Sequence, residues 1–327
     1  MRNLIGFMLT ALLGLGLLGQ GAQAQVAVAP IEGATTRFTT PNPAAMQWGA
    51  PSRVGIYQEN GTQKDKDLVT GKVSAIVAKT KETGAGGRYV HDRFALAGQS
   101  ASYSWNSGDP NPDTRTDQDT DVAASLAVGN NVALGIGQQS TAVKIEKFNP
   151  GGNQKFNYDF TWQNIGASLA VTPFLYLGYV QQNEVQKFTD PANAANNTKY
   201  KRTNTTWGVG FRSAGKGGKV MAHVEYYATT TPNYTDTATS QAVLDTKESS
   251  ANVVAEVVVN NILAGYKGTT ITQPLQVTDT ESTITLGWSP DHGLALSVYQ
   301  TTGKNHDALN QKDVNRQSSG LALAMLF

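Results

Sequence analysis

The sequence predicts an all-β protein, a transmembrane antiparallel β-barrel of about 14 strands, with about twelve the alternative count. Three observations carry this reading. The first is the C-terminal stretch, where Leu321, Leu323, Met325 and Phe327 are large and apolar and alternate with Gly320, Ala322 and Ala324. Successive strand residues point to opposite faces, so one face is greasy and the other slim. Left at a sheet edge in water, such a strand invites aggregation; paired within a closed barrel, its apolar face suits lipid. The second is hydropathy. Hydrophobic residues make up 39% of the chain and the mean hydropathy is −0.32. Beyond the N-terminus no apolar run approaches the roughly 20 residues that a membrane-spanning helix needs. That excludes a helical bundle and suits strands that are apolar on one side only. The third is a succession of alternating segments whose connections are short and long in turn, as in barrels with tight turns on one side of the membrane and longer loops on the other.

The elements follow in order. Met1-Arg2-Asn3, the apolar run Leu4 to Leu18 and the small-residue site Ala22-Gln23-Ala24 read as a secretory signal peptide, so residues 1–24 are expected to be removed on export. Residues 25–50 lack strand alternation and are expected to form a short plug or periplasmic segment, leaving residues 51–327 as the barrel. The first alternating run is Ser52 to Tyr57, and the second and third strands are expected near 68–79 and 90–105. The link between those two, Thr80 to Tyr89, is long for a periplasmic turn. Further strands are expected at 119–129, 132–146, 154–171, 174–187, 199–213, 219–229, 249–259, 262–272, 278–289, 294–302 and from 314 to the end. Asn130-Asn131 and Asn260-Asn261 are expected to supply the positive φ of tight hairpins. Polar stretches near 59–67, 106–118, 147–153, 188–198, 230–248, 273–277 and 303–313 are expected to be the outer loops.

Several strands show distinct faces. Val122, Ala124, Leu126 and Val128 share one parity, as do Trp207, Val209 and Phe211, and Ile284, Leu286 and Trp288. The large apolar parity is assigned to lipid, with Trp207 and Trp288 in aromatic girdles. In the sixth strand Phe156, Tyr158, Phe160 and Trp162 are even while Ile165, Ala167, Leu169 and Val171 are odd, so a bulge near Gln163-Asn164 is expected to reconcile them. The same assignment sends Arg53, Lys72, Asp121, Arg212, His223, Glu225, Glu256, Lys267 and Arg316 into the lumen. These residues either define a polar passage or form salt bridges that fill the barrel.

Other chemistries find little support. With no cysteine there is no disulfide or thiolate chemistry, and a net charge of +1 gives no sign of nucleic-acid binding. Gly210 to Lys216 has phosphate-loop spacing, but Gly217 replaces the required hydroxyl residue and a strand follows instead of a helix. The acidic stretch from Asp109 to Asp121 lacks the glycine and closing glutamate of a calcium loop, so no metal site and no cofactor are expected. His223 shares a strand face with Glu225, but no nucleophile is placed with them, so the chain does not read as an enzyme.

Asn42-Pro43-Ala44, followed shortly by a first strand with Gly55 and Tyr57, resembles the long-chain fatty acid transporter (FadL-like) family of outer-membrane proteins. The final strand with its terminal Phe327 is similar to the ending of Gram-negative outer-membrane barrels, where it serves as the assembly signal. The resemblance implies a plug anchored at Asn42, Pro43 and Ala44, and passive uptake of small hydrophobic or amphipathic solutes across the cell outer membrane. It implies solute binding near the outer loops and a kink in the third strand that opens the wall, for which Gly98 is the candidate. The implied partners are a small-molecule solute, outer-membrane lipid and lipopolysaccharide, and the assembly machinery. A diffusion porin for polar solutes and a structural or adhesion barrel are the alternatives.

Overall fold

The computed structural model describes residues 42–47, 52–75, 77–150, 152–214, 220–274, 277–290, 293–308 and 310–327. The predicted signal peptide and most of the predicted plug segment lie outside these residues. Fourteen strands make one sheet: β1 (Arg53–Asp67), β2 (Ala78–Val90), β3 (Phe94–Asn106), β4 (Thr114–Val128), β5 (Val132–Lys147), β6 (Gln154–Ala170), β7 (Leu175–Thr189), β8 (Thr198–Ala214), β9 (Val220–Thr231), β10 (Glu248–Val259), β11 (Ile262–Gln273), β12 (Val277–Trp288), β13 (Gly293–Asp307) and β14 (Lys312–Leu326). Each pairs antiparallel with its neighbours in sequence, and β14 closes on β1 from Arg53↔Leu326 to Asp67↔Lys312. A backbone hydrogen bond of 3.1 Å from Phe327 to Ser52 extends the seam by one rung. Closure leaves no open edge, the condition for a sheet to cross hydrocarbon. A small hairpin in the β9–β10 loop, Tyr234–Asp236 with Ala242–Val243, pairs with the outer end of β8.

On β4, β8 and β12 the expected face assignment holds. Val122, Leu126, Trp207, Phe211, Ile284, Leu286 and Trp288 are exposed on the outer wall, and their strand neighbours point inward. Together with Val54, Ile56, Leu134, Ile136, Leu296, Val298, Leu321 and Met325 they form a continuous apolar belt. An exposed apolar surface of that extent is untenable in water and natural in lipid. Aromatics border it on both sides. Tyr89, Phe94, Phe174, Phe211, Trp288 and Phe327 lie at the edge of the short turns, and Tyr179, Trp207, Tyr226 and Tyr266 at the edge of the longer loops, as interfacial girdles do.

The strands run from 12 to 17 residues, whereas about 9–11 suffice to cross a bilayer. The surplus projects on the outer side. Beyond Ile56 on β1 the outward positions become Gln58, Asn60, Thr62 and Lys64; beyond Val298 on β13 they become Gln300, Thr302 and Lys304. This explains a misplaced strand. The expected outer loop at 59–67 is the upper part of β1, and the expected second strand at 68–79 is mostly loop. Above the belt both faces of β1 are polar, so hydrophobic alternation disappears although the backbone stays extended. β2 then begins at Ala78, and the long link expected from Thr80 to Tyr89 becomes a short turn between Val90 and Phe94.

Two further expectations change. The β6 bulge is absent, because Gln163 and Asn164 pair in register with Gln138 and Gly137 on one side and with Asn183 and Gln182 on the other. In the β4–β5 turn it is Gly129, with φ +74°, that adopts the left-handed conformation, whereas Asn260 and Asn261 do so in the β10–β11 turn as expected.

Candidate functional site in the barrel lumen

With no bulge, even parity on β6 faces inward throughout. Phe156, Tyr158, Phe160 and Trp162 therefore descend the inner wall from the outer mouth, while Ile165 and Leu169 face lipid lower down. Tyr158 and Phe160 stand 6.5 Å apart and Phe160 and Trp162 5.5 Å, the latter pair within 7° of parallel. Phe188 on β7 packs against Tyr158 at 4.9 Å, and Val143 and Ile145 on β5 complete the cluster. Offset rings at such spacing attract one another and present flat apolar faces. Sequence reading placed these rings on lipid. The available signal was the unbroken parity of β6, in which aromatic residues occupy one face at the top and aliphatic residues the other face at the bottom.

Opposite chemistry stands beside the aromatic wall. Arg115 Nε donates to Asp117 Oδ1 at 2.6 Å on β4. On β8, Arg202 Nε donates to Glu184 Oε2 at 2.6 Å and Nη2 to Glu248 Oε1 at 2.9 Å, and its guanidinium lies 4.0 Å over the Tyr234 ring. The Tyr234 hydroxyl donates to Glu184 Oε1, and Arg202 Nη1 reaches the Thr246 carbonyl at 3.3 Å. The β9–β10 loop is thereby latched inward at the mouth, with Tyr234 buried. In the neighbouring β7–β8 loop, a hydrogen bond from Asn196 and two from backbone amides hold the Asp190 carboxyl below the usual carboxylate range.

Below the rings the lumen is occupied. Pro43–Gln47 form a 3₁₀ turn against β4, β5 and β6, and Asn42, Ala44, Ala45 and Met46 are fully buried. The Asn42 side chain accepts from the Ala44 amide at 3.1 Å, and its Nδ2 donates to the Ala167 carbonyl at 3.2 Å. Gly135 and Gly166, directly paired across β5 and β6, make the seat. A Cβ at Gly135 would lie 2.4 Å from the Ala44 nitrogen, and one at Gly166 2.2 Å from Asn42 Oδ1. Only glycine permits this approach of chain to wall. Trp162 stands four residues above Gly166 on β6, so the ring series ends directly over the seated segment.

Most of the ionisable residues expected in the lumen are there. Arg212, His223 and Glu256 stand in one row across β8, β9 and β10. The His223 ring nitrogens lie 3.4 Å from Glu225 Oε2 and 3.6 Å from Glu256 Oε2. Arg53 pairs in register with Arg88, an arginine that sequence reading missed, and both are buried. Asp121 is buried beside Gln99 and Gln139, and Lys267 points inward from β11. Arg316 reaches over Gly303 to bond Asp279. Lys72 does not belong with them. It is exposed in the β1–β2 loop, where its carbonyl accepts from the Asp67 amide at 2.9 Å. Gly98 faces lipid on a strand paired without interruption, through Gly87↔Gly98 and Gly98↔Val122, so no break in the wall occurs there.

Fold and site together define a transmembrane β-barrel whose upper lumen sets an aromatic wall beside arginine–carboxylate pairs and whose lower lumen is ionised, with Asn42 to Met46 seated on the inner wall between them. Solved structures of the same fold include the CymD monoaromatic hydrocarbon channel, at TM-score 0.58 and 11% identity, covering 92% of this chain and 95% of that one. The Pseudomonas putida toluene transporter TodX matches at TM-score 0.56 and 8% identity, covering 93% and 98%. A Pseudomonas aeruginosa FadL homologue matches at TM-score 0.55 and 11% identity, covering 90% and 96%. No protein-family model and no curated protein matches the sequence. At these identities the likeness is one of fold.

Proposed function

We propose that this barrel is an outer-membrane channel for the passive uptake of small hydrophobic or amphipathic solutes. The observation that carries the reading is the run Phe156, Tyr158, Phe160 and Trp162 inside the lumen. A solute leaving water at the mouth gains apolar contact with successive rings. The rings are equivalent in kind, so a solute moves among sites of similar affinity and no energy input is needed. The named solutes of the fold relatives, monoaromatic hydrocarbons and toluene, are of the apolar aromatic class that such rings attract. Residues 25–50, anchored at Asn42, Pro43 and Ala44, act as a short plug that must shift for a solute to pass. The exported chain is assembled into the outer membrane through recognition of the terminal strand and Phe327.

The test is uptake of a radiolabelled monoaromatic hydrocarbon by whole cells expressing the barrel. Each aromatic contact contributes about 0.5–1.5 kcal/mol beyond area burial, so the double variant Phe160→Ala/Trp162→Ala should slow uptake about tenfold. The heat-modifiable folded form should persist. A second reading, a diffusion porin for polar solutes, is favoured by the charged row Arg212, His223 and Glu256. Rapid swelling of proteoliposomes in arabinose, with hydrocarbon uptake no faster than in cells without the barrel, would establish the porin instead.

A further inference from the structure

Basic residues are sorted by type across the wall. Arg53, Arg88, Arg115, Arg202, Arg212 and Arg316 all point into the lumen. Strand lysines mostly point outward, and they do so above the apolar belt. Inside, the planar guanidinium suits buried pairing with carboxylates. Outside, Lys304 pairs with Asp313 and Lys155 with Glu146, whereas among the described residues no salt bridge engages Lys64 on β1 or Lys79 and Lys81 on β2.

Lys79 and Lys81 are consecutive outward residues of β2, and Lys64 is an outward residue of β1; all three are exposed. In register, Lys81 sits between Asn60 and Ser104, and Thr62 opposes Lys79. Lys79 and Lys81 are therefore about 7 Å apart along the strand, and Lys64 is a diagonal neighbour of Lys79 at about 7–8 Å. The outward neighbours are hydroxyls and amides, which donate hydrogen bonds to an anion. The level is also informative. The row Leu321, Gln58, Thr83 marks the top of the apolar belt, and the next outward row is Ser319, Asn60, Lys81. Lys81 thus stands about 7 Å along the strand beyond the last apolar side chain. That is where acyl chains give way to headgroups.

We propose that Lys64, Lys79 and Lys81 form a binding site for the phosphorylated headgroup of an outer-leaflet glycolipid. The belt holds the acyl chains, and the three ammonium groups with Thr62 and Ser104 hold the phosphates. The site lies on the outer wall and is separate from the solute path in the lumen.

Native mass spectrometry of the detergent-solubilised barrel with added diphosphoryl lipid A tests this. Lys64→Gln/Lys79→Gln/Lys81→Gln should lower lipid A retention about a hundredfold, and Lys81→Gln alone about fivefold. The comparison variant is Lys187→Gln/Lys199→Gln/Lys201→Gln. It removes the same charge from outward positions of β7 and β8, where Lys187 lies eight residues beyond the girdle residue Tyr179. This variant should retain lipid A as the native chain does. Millimolar inorganic phosphate should not displace the lipid, and lipid A stripped of phosphate should bind as weakly to the native chain as lipid A does to the first triple variant. Undiminished retention by that variant, equal loss in both triple variants, or displacement by inorganic phosphate would each overturn the proposal.

Discussion

At the scale of single residues, position relative to the wall decides what a side chain costs. Leu296 is exposed in the middle of the apolar belt on β13, and Gln300, four residues on, has the same outward parity above it. Leu296→Arg places a cation in hydrocarbon and should cost about 2–4 kcal/mol, whereas Gln300→Arg should cost about 0–1 kcal/mol. Urea unfolding in lipid vesicles reads the difference, and equal costs would mean that the belt is misplaced. Glycines obey the same logic on the inner wall. Gly166→Ala drives a methyl group into Asn42 Oδ1, so it should unseat the 3₁₀ turn and raise single-channel conductance. Gly98→Ala meets only the Asp121 carbonyl, at an ordinary 3.6 Å, and should leave conductance unchanged.

At the scale of elements, β6 and the β9–β10 loop do the most to shape the lumen. β6 is apolar on both faces but at different depths, because its upper part is surrounded by protein and water and its lower part by lipid. The loop is held inward through Arg202, whose guanidinium satisfies Glu184 and Glu248 and covers Tyr234. Arg202→Met keeps the bulk but leaves Glu184 buried without its cation, which costs about 3–5 kcal/mol when a buried pair is broken. The loop should then exchange its amide hydrogens faster around Tyr234 and Thr246, while the β12–β14 amides stay protected. Unchanged exchange in the loop would show that other contacts hold it.

At the scale of the molecule, the barrel separates three environments by depth and side: lipid around the belt, a lumen above where aromatic rings stand beside arginine–carboxylate pairs, and an ionised lumen below. A cylinder of about 14 strands encloses more space than wall side chains fill, and the seated segment Asn42–Gln47 accounts for part of it. Removing residues 25–41 withdraws the chain leading to that segment. It should raise single-channel conductance if residues 25–50 form a plug, and conductance equal to that of the full chain would mean that the plug is absent and would favour the porin.

The sequence by itself determined the strand class, the lipid-facing parity and most of the lumen residues, because alternation along a strand is a local property that a membrane makes severe. His223 with Glu225, Arg212 and Arg316 were legible for that reason, and so was Phe327 on the outward face. Tertiary structure decided the rest. Whether a ring on β6 meets lipid or lumen depends on the register of β5 and β7, which no single strand encodes. Above the belt both faces of β1 and β2 are polar, so these strands could be delimited only by their partners. Arg88 was hidden in a glycine-rich strand, Lys72 was placed in the lumen by a strand that does not exist, and the glycine seat emerges only when Gly135 and Gly166 are brought side by side. Local pattern records which face a residue prefers; pairing and closure decide what lies opposite that face.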